Sequence, residues 1–387
     1  MRLLISILVI LSLAILAPMG ALHAAGPAIP DLATWESQML SFGATHCGKL
    51  QDPSVDGNTK LADTYYDSER VFYQIYDYTG DAKWLGCAQA GESVYRDGYV
   101  LSNNGSVPGY WTFPHGIWYD WKRSGDNNSK VALVDLANSA GFAYAPLSWT
   151  SDVAQSREVA YNIQTKLLAL EAGYGDVGRL NDLIAQAFDH MNQWFVAKNA
   201  IYIRPFMVAL TSEALITLYN KTSDPRVLPT VQMAMDYIWN CCWLASSGAF
   251  MYTDRIASDG TGDMSPAPDL NLLIAPVFGW LYYMTGDPVW QQRGDTIFSA
   301  GVRVGPNFIY LGKQFNQNYR WSSDYVYWRQ GAVGPLRASI GTTGLLPATG
   351  SYSGPGGGLA PTGGGSTTDA SISANRNIRY GADPSRK

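Results

Sequence analysis

The sequence predicts an all-α chain built from repeated helical hairpins, and three observations carry that expectation. A short phrase returns five times: Tyr78-Thr79-Gly80-Asp81, Arg123-Ser124-Gly125-Asp126, Gly173-Tyr174-Gly175-Asp176, Lys221-Thr222-Ser223-Asp224 and Met284-Thr285-Gly286-Asp287. The intervals between its Asp residues are 45, 50, 48 and 63 residues, the scale of one hairpin per repeat. Segments before each phrase are apolar on several faces, as in Phe206–Ile216 and Leu270–Gly279, whereas those after it are amphipathic, as in Gly178–Phe188. Helices apolar all round are buried and amphipathic ones face water on one side, so an inner and an outer set are expected.

Each phrase reads as a stop and a start fused in a few residues. Gly supplies the left-handed residue that ends one helix, and Asp accepts the free N–H groups that open the next. Pro225 and Pro288 follow at the first helical position, which tolerates proline best. Reading outward gives an opening helix over about 31–45. The pairs are 60–79 with 81–99, 113–123 with 127–142, 152–173 with 176–197, 203–221 with 224–243, and 266–285 with 288–301. A last helix runs over about 320–330. Pairing the last with the first makes six inner and six outer helices.

The ends differ in kind. Met1 to Ala24 carries Arg2, an apolar run from Leu3 to Ala17 and a small-residue finish, the pattern of a cleaved signal peptide. Residues 25–340 form the expected helical domain. Residues 341–387 are rich in Gly, Ser, Thr and Pro, too poor in apolar side chains to build a core, and are expected to be a disordered tail. The chain is therefore expected to be secreted or periplasmic, with no transmembrane segment after signal cleavage, and monomeric.

A net charge of −5 without basic runs argues against nucleic acid as partner. With signal removal, His46, His115 and His190 remain, in no His-x-x-x-His or Cys-x-x-Cys arrangement, so neither metal nor cofactor is expected. Of the four Cys, Cys47 and Cys87 are the pairing to test first, while Cys241 and Cys242 are expected as buried thiols because a bond between neighbours is strained.

The hairpin count and turn chemistry over about 31–335 resemble the six-hairpin (α/α)6 toroid superfamily, which holds many glycoside hydrolases and related polysaccharide lyases. No catalytic signature of one family is present: the Asn-Asn-His-x-Tyr-Trp type motif of alginate lyases is approached only by Asn103-Asn104 and Tyr110-Trp111. The resemblance implies a glycan cleft at the N-terminal ends of the inner helices, the rim opposite the tight turns. Long connections over a rigid scaffold are where binding concentrates.

Those connections are aromatic and polar, which suits sugars: flat rings for C–H faces, amides and charges for hydroxyls. Trp111, Tyr119, Trp149, Asn162, Arg204, Tyr252, Asn271, Asn318, Arg320, Trp321 and Asp324 are the expected substrate contacts. Glycosidic hydrolysis needs two carboxyl groups, one protonated and one ionised. The rim offers Asp67, Glu69, Asp152, Glu158, Asp254, Asp263, Asp269 and Asp324. Asp254 and Asp269 are preferred because both lie in the longest connection and Arg255 keeps one carboxylate charged. Glu158 and Glu213 fall within inner helices, where a carboxylate is paired or functional. The catalytic set expected is thus Asp254, Asp269, Asp152, Glu158 and His115, in a glycoside hydrolase acting on a polysaccharide or oligosaccharide. Two alternatives are a polysaccharide lyase using His115 or Tyr119 on a uronate glycan, and a non-catalytic glycan-binding or cell-envelope protein.

Overall fold

A computed structural model of the chain describes residues 28–145 and 151–335. The expected signal peptide, Trp149 and the expected tail lie outside the described residues. The described residues are mostly helical, with thirteen α-helices and one short antiparallel hairpin. No helix among them is long and apolar enough to cross a membrane.

The helices are α1 (Leu32–Gln51), α2 (Gly57–Asp63), α3 (Ser68–Thr79), α4 (Lys83–Glu92), α5 (Pro114–Ser124), α6 (Asn127–Ser139) and α7 (Ser156–Ala169). They continue as α8 (Val177–Phe195), α9 (Pro205–Thr222), α10 (Val227–Cys242), α11 (Asn271–Thr285), α12 (Pro288–Val304) and α13 (Gly312–Arg329). A π-helical stretch, Ser93–Val100, prolongs α4.

All five repeated phrases are helix–helix turns. Gly80, Gly125, Gly173, Ser223 and Gly286 take left-handed φ values of 70°, 75°, 101°, 54° and 69° and end the preceding helical segments. Asp81, Asp126, Asp176, Asp224 and Asp287 then accept the backbone N–H of Lys83, Asn128, Arg179, Arg226 and Val289 at 2.8–3.0 Å. Pro288 opens α12 as expected, while α10 begins at Val227, two residues beyond Pro225.

Burial divides the helices as their patterning requires. Every residue from Pro205 to Leu218 in α9 is buried, as is every residue from Asn271 to Leu281 in α11. In α8 the buried positions, among them Leu180, Leu183, Ile184, Ala187 and Met191, recur at helical spacing on one stripe. Each hairpin packs its two helices together: α3 with α4, α5 with α6, α7 with α8, α9 with α10 and α11 with α12. The first helices also touch in succession, α3 to α5, α5 to α7, α7 to α9, α9 to α11 and α11 to α13, and α13 touches both α3 and α1.

Two sequence expectations change. The helix placed at 60–79 is broken into α2 and α3 at 64–67, and α13 starts at Gly312 rather than near 320. Cys47 and Cys87 are bonded, tying α1 to α4. Cys241 and Cys242 are also bonded to each other, which corrects the expectation of thiols: the pair closes the last turn of α10, just before the backbone leaves the helix at Trp243.

Candidate functional site

The break before α3 is the most unusual backbone in the helical domain. Tyr66 and Asp67 are consecutive non-glycine residues with φ of 69° and 71°, and both are buried. Residues held in this region cost on the order of 1–3 kcal/mol each and persist where the surroundings over-determine them. The Asp67 carboxylate accepts the backbone N–H of Arg70 at 3.2 Å and those of His115 and Gly116 at 3.2 and 3.1 Å. It thereby stitches the first turn of α3 to that of α5. Gly116 permits the approach, because a Cβ there would lie 2.3 Å from Glu69 Cβ and 2.6 Å from Asp67 Oδ1.

One turn further along α3, the Arg70 guanidinium donates to Glu213 Oε1 on α9 at 2.9 Å and to Asp324 Oδ2 on α13 at 3.4 Å. Arg320 of α13 donates to the other Glu213 oxygen. The Arg320 guanidinium carbon lies 6.0 Å from the Tyr66 ring and 5.9 Å from the Tyr161 ring of α7. Glu158, one turn before Tyr161, accepts both Nε and Nη2 of Arg157 at 3.1 and 2.7 Å, and Arg157 stands 5.5 Å from the Tyr110 ring. Around them Tyr65 meets Trp111 edge-on at 4.6 Å, and Phe113 lies 5.8 Å from Tyr161. The N-terminal ends of α3, α5 and α7 and the middle of α9 and α13 thus share one polar heart.

Burial pushes the Asp67 carboxyl above its usual range despite Arg70 and Arg320. It raises the Tyr161 hydroxyl to about 12, against the pull of Arg320 and Arg157. Several buried atoms here have no hydrogen-bond partner: Tyr161 Oη, Glu158 Oε2, Asn162 Oδ1, Asn318 Oδ1, and Nε and Nη1 of Arg320. Buried polar groups are ordinarily satisfied, so a gathering of exceptions calls for an explanation.

A second polar cluster occupies the wall between α3, α4, α5 and α6. Arg96, on the π-helical stretch, donates to Asp97, Asp120, Asp126 and Ser129 and lies 3.5 Å from Glu92. Tyr73 donates to both Glu92 and Asp120. Both oxygens of Glu69 are buried without a partner. Burial and the neighbouring carboxylates push Glu69 well up, and burial above all pushes Glu92 up to about 7. No group of His, Cys, Asp and Glu among the described residues is arranged to hold a metal ion.

Of the residues expected to act, Glu158, His115, Asn162, Arg320 and Asp324 fall in or against the polar heart. His115 Nδ1 is 4.0 Å from Asp67 Oδ2. Trp111 is half-buried at its edge. Asn318 is buried in α13, its amide donating to Gln314 O at 2.7 Å, and Trp321 is a core residue edge-on to Trp328. Tyr119, at the middle of α5, donates to Asp77 beneath Arg123 and is not brought to the site.

The preferred pair is placed elsewhere. Asp254 accepts the Ile203 N–H at 2.6 Å while its own N–H donates to Ile203 O at 2.9 Å, and Arg255 Nη1 stands 3.3 Å away, so its side chain clamps two connections together. Asp269 sits in a single 3-10 turn before α11, its carbonyl accepting Gln317 Nε2 at 2.7 Å. Asp152 is exposed and caps the turn before α7 through the Ala154 N–H. Arg204 bonds Tyr202 Oη at 2.8 Å, Tyr252 stacks on Phe206, and Asn271 donates to Gly248 O at 2.8 Å. A surface groove of about 760 Å³ along α12, lined by Trp243, Gln292, Asp295 and Ser299 among others, shares no residue with either cluster.

The sequence offers Asp67 as a rim carboxyl and Glu213 as one within an inner helix, but not Arg70 or Tyr161. The signal available for Arg70 and Glu213 is a charged side chain inside a helix that is otherwise buried. No protein-family model, no curated protein and no solved structure matches this chain.

Proposed function

We propose that this chain is an exported glycan-cleaving enzyme on a six-hairpin (α/α)6 toroid, hydrolysing its substrate with Asp67 as the acid and Glu158 as the ionised partner. The toroid reading is supported by the succession of contacts from α3 to α13 and back to α3. The functional reading rests on one observation above others: unpartnered buried hydrogen-bonding groups on α7 and α13 gather beside a strained backbone at the helix starts. A polyhydroxylated ligand supplies donors and acceptors in the number such a site lacks.

The chemistry follows from the two environments. Burial pushes Asp67 above its usual range, which makes it the better of the two carboxyls to give the leaving glycosidic oxygen a proton as the C–O bond breaks. Glu158 accepts both Arg157 donors through Oε1, which leaves Oε2 without a partner to take a proton from water or attack the anomeric carbon. Half-buried Tyr65, Tyr110 and Trp111 flank the same helix starts and offer rings for sugar faces.

The test is a screen of the mature chain on neutral and uronate-rich polysaccharides, following reducing ends and double-bond absorbance together. Hydrolysis gives reducing ends without absorbance, and Glu158→Gln lowers the rate by about 10²–10⁴-fold. An elimination reading is favoured by Tyr161, whose free hydroxyl lies near two guanidiniums; absorbance that disappears in Tyr161→Phe would replace hydrolysis by elimination. Neither product from any substrate defeats both.

A further inference from the structure

We infer that the sugar bound at this site carries a carboxylate, and that Arg320 is its seat. The inference rests on the glycan reading above and adds the substrate's charge to it. A guanidinium has five N–H donors. Arg320 directs Nη2 to Glu213, whose other oxygen is already taken by Arg70, while Nε and the two donors of Nη1 have no partner. The side chain is 3% exposed, so bulk water is not a ready substitute.

What surrounds these three donors restricts what can satisfy them. The ring faces of Tyr66 and Tyr161 lie about 6 Å from the guanidinium carbon and tolerate a cation, but offer it only their π faces. Tyr161 Oη, itself unpartnered, adds a fourth donor on a ring 5.9 Å from the guanidinium. One sugar hydroxyl has two lone pairs and cannot meet this set. A carboxylate presents two oxygens with about four lone-pair sites and matches a planar guanidinium in geometry. Arg157 is a second cation near Tyr66 and Tyr161, so a negative group bound beside Arg320 lies near two guanidiniums.

The experiment is calorimetric titration of the mature chain with oligomers of galacturonate, glucuronate and mannuronate, each beside the same oligomer with its carboxyls reduced to hydroxymethyl groups. At least one acidic oligomer is expected to bind about 10- to 100-fold more tightly than its reduced form, the worth of a charge-assisted hydrogen bond. That preference is expected to shrink as salt is raised. Arg320→Lys keeps the charge but loses the planar set of donors, and, where it melts as a folded protein, is expected to lose the preference while still binding the reduced oligomer. Equal binding of acidic and reduced forms overturns the inference and leaves the glycan reading standing. A folded Arg320→Lys that retains the preference also overturns it. Binding of no oligomer of either kind, with no polysaccharide cleaved, removes the glycan reading as well.

Discussion

Two buried clusters meet on α3, and they handle charge in opposite ways. Arg70 faces Glu213 and Asp324, with Arg320 on the far side of Glu213, so cations and carboxylates are matched. Glu69, the preceding residue, faces the wall, where Glu92, Asp97, Asp120 and Asp126 surround Arg96. Neighbouring residues on a helix point about 100° apart, so one helix can serve both. The matched cluster keeps its charges by pairing them. The acid-rich one relieves repulsion by holding protons.

The largest effect that separates them is the loss of a shared acceptor. Glu213→Ala leaves Arg70 and Arg320 buried without their common carboxylate, and breaking a buried pair in this way costs about 3–5 kcal/mol. Urea unfolding is expected to show a loss of that size at neutral pH. A loss below about 1 kcal/mol would mean that the matched cluster does not depend on the pairing seen here.

A smaller effect, and one of opposite sign, is expected in the wall. Glu92 is held near 7 and Glu69 well above its usual range, so the folded chain binds these protons more tightly than the unfolded chain does. Such groups contribute stability that is fully present below the ordinary Glu value of about 4.5 and is lost as pH rises through about 7. The melting temperature is expected to fall between pH 5 and pH 7.5, and Glu69→Gln, which fixes one site as neutral, is expected to flatten that slope and raise stability at pH 7.5 by about 1 kcal/mol. A melting temperature that rises over this interval in the wild-type chain, and is unchanged by the substitution, would contradict the proton-holding account.

The turns were legible in the sequence because their causes are local. A left-handed Gly and a capping Asp act within four residues, and each hairpin turn occurs where the phrase occurs. The clusters were not legible as pairs, since Arg70 and Glu213 are 143 residues apart and Arg320 and Glu213 are 107 apart. Only the anomaly of Glu213 and Glu158 in apolar helices pointed to them. Polar composition misled at α13: Gln314, Asn316 and Asn318 read as a connection, yet Asn316 bonds Asp63 O and Tyr65 O at 2.8 and 2.9 Å from within a buried helix. A buried amide that serves another segment's carbonyl has the same letter as one facing water. The left-handed Tyr66 and Asp67 are invisible for a similar reason, because tertiary bonds to α5 impose a conformation that the residue types alone do not request.

The smallest stability effect sharpens the comparison most. Tyr161 belongs to the matched cluster, yet its hydroxyl is buried without a partner, so Tyr161→Phe removes a desolvated polar atom and leaves no new one exposed to loss. Deleting a hydroxyl that made a structural hydrogen bond costs about 1 kcal/mol; deleting one that made none is neutral or stabilising by a similar amount. Tyr161→Phe is therefore expected to unfold at the same or slightly higher urea concentration, while turnover of the best glycan substrate falls. Those two outcomes together are the stability-for-activity trade expected of an active site. Lower stability with unchanged turnover would assign the hydroxyl to the scaffold and return the polar heart to a purely structural role.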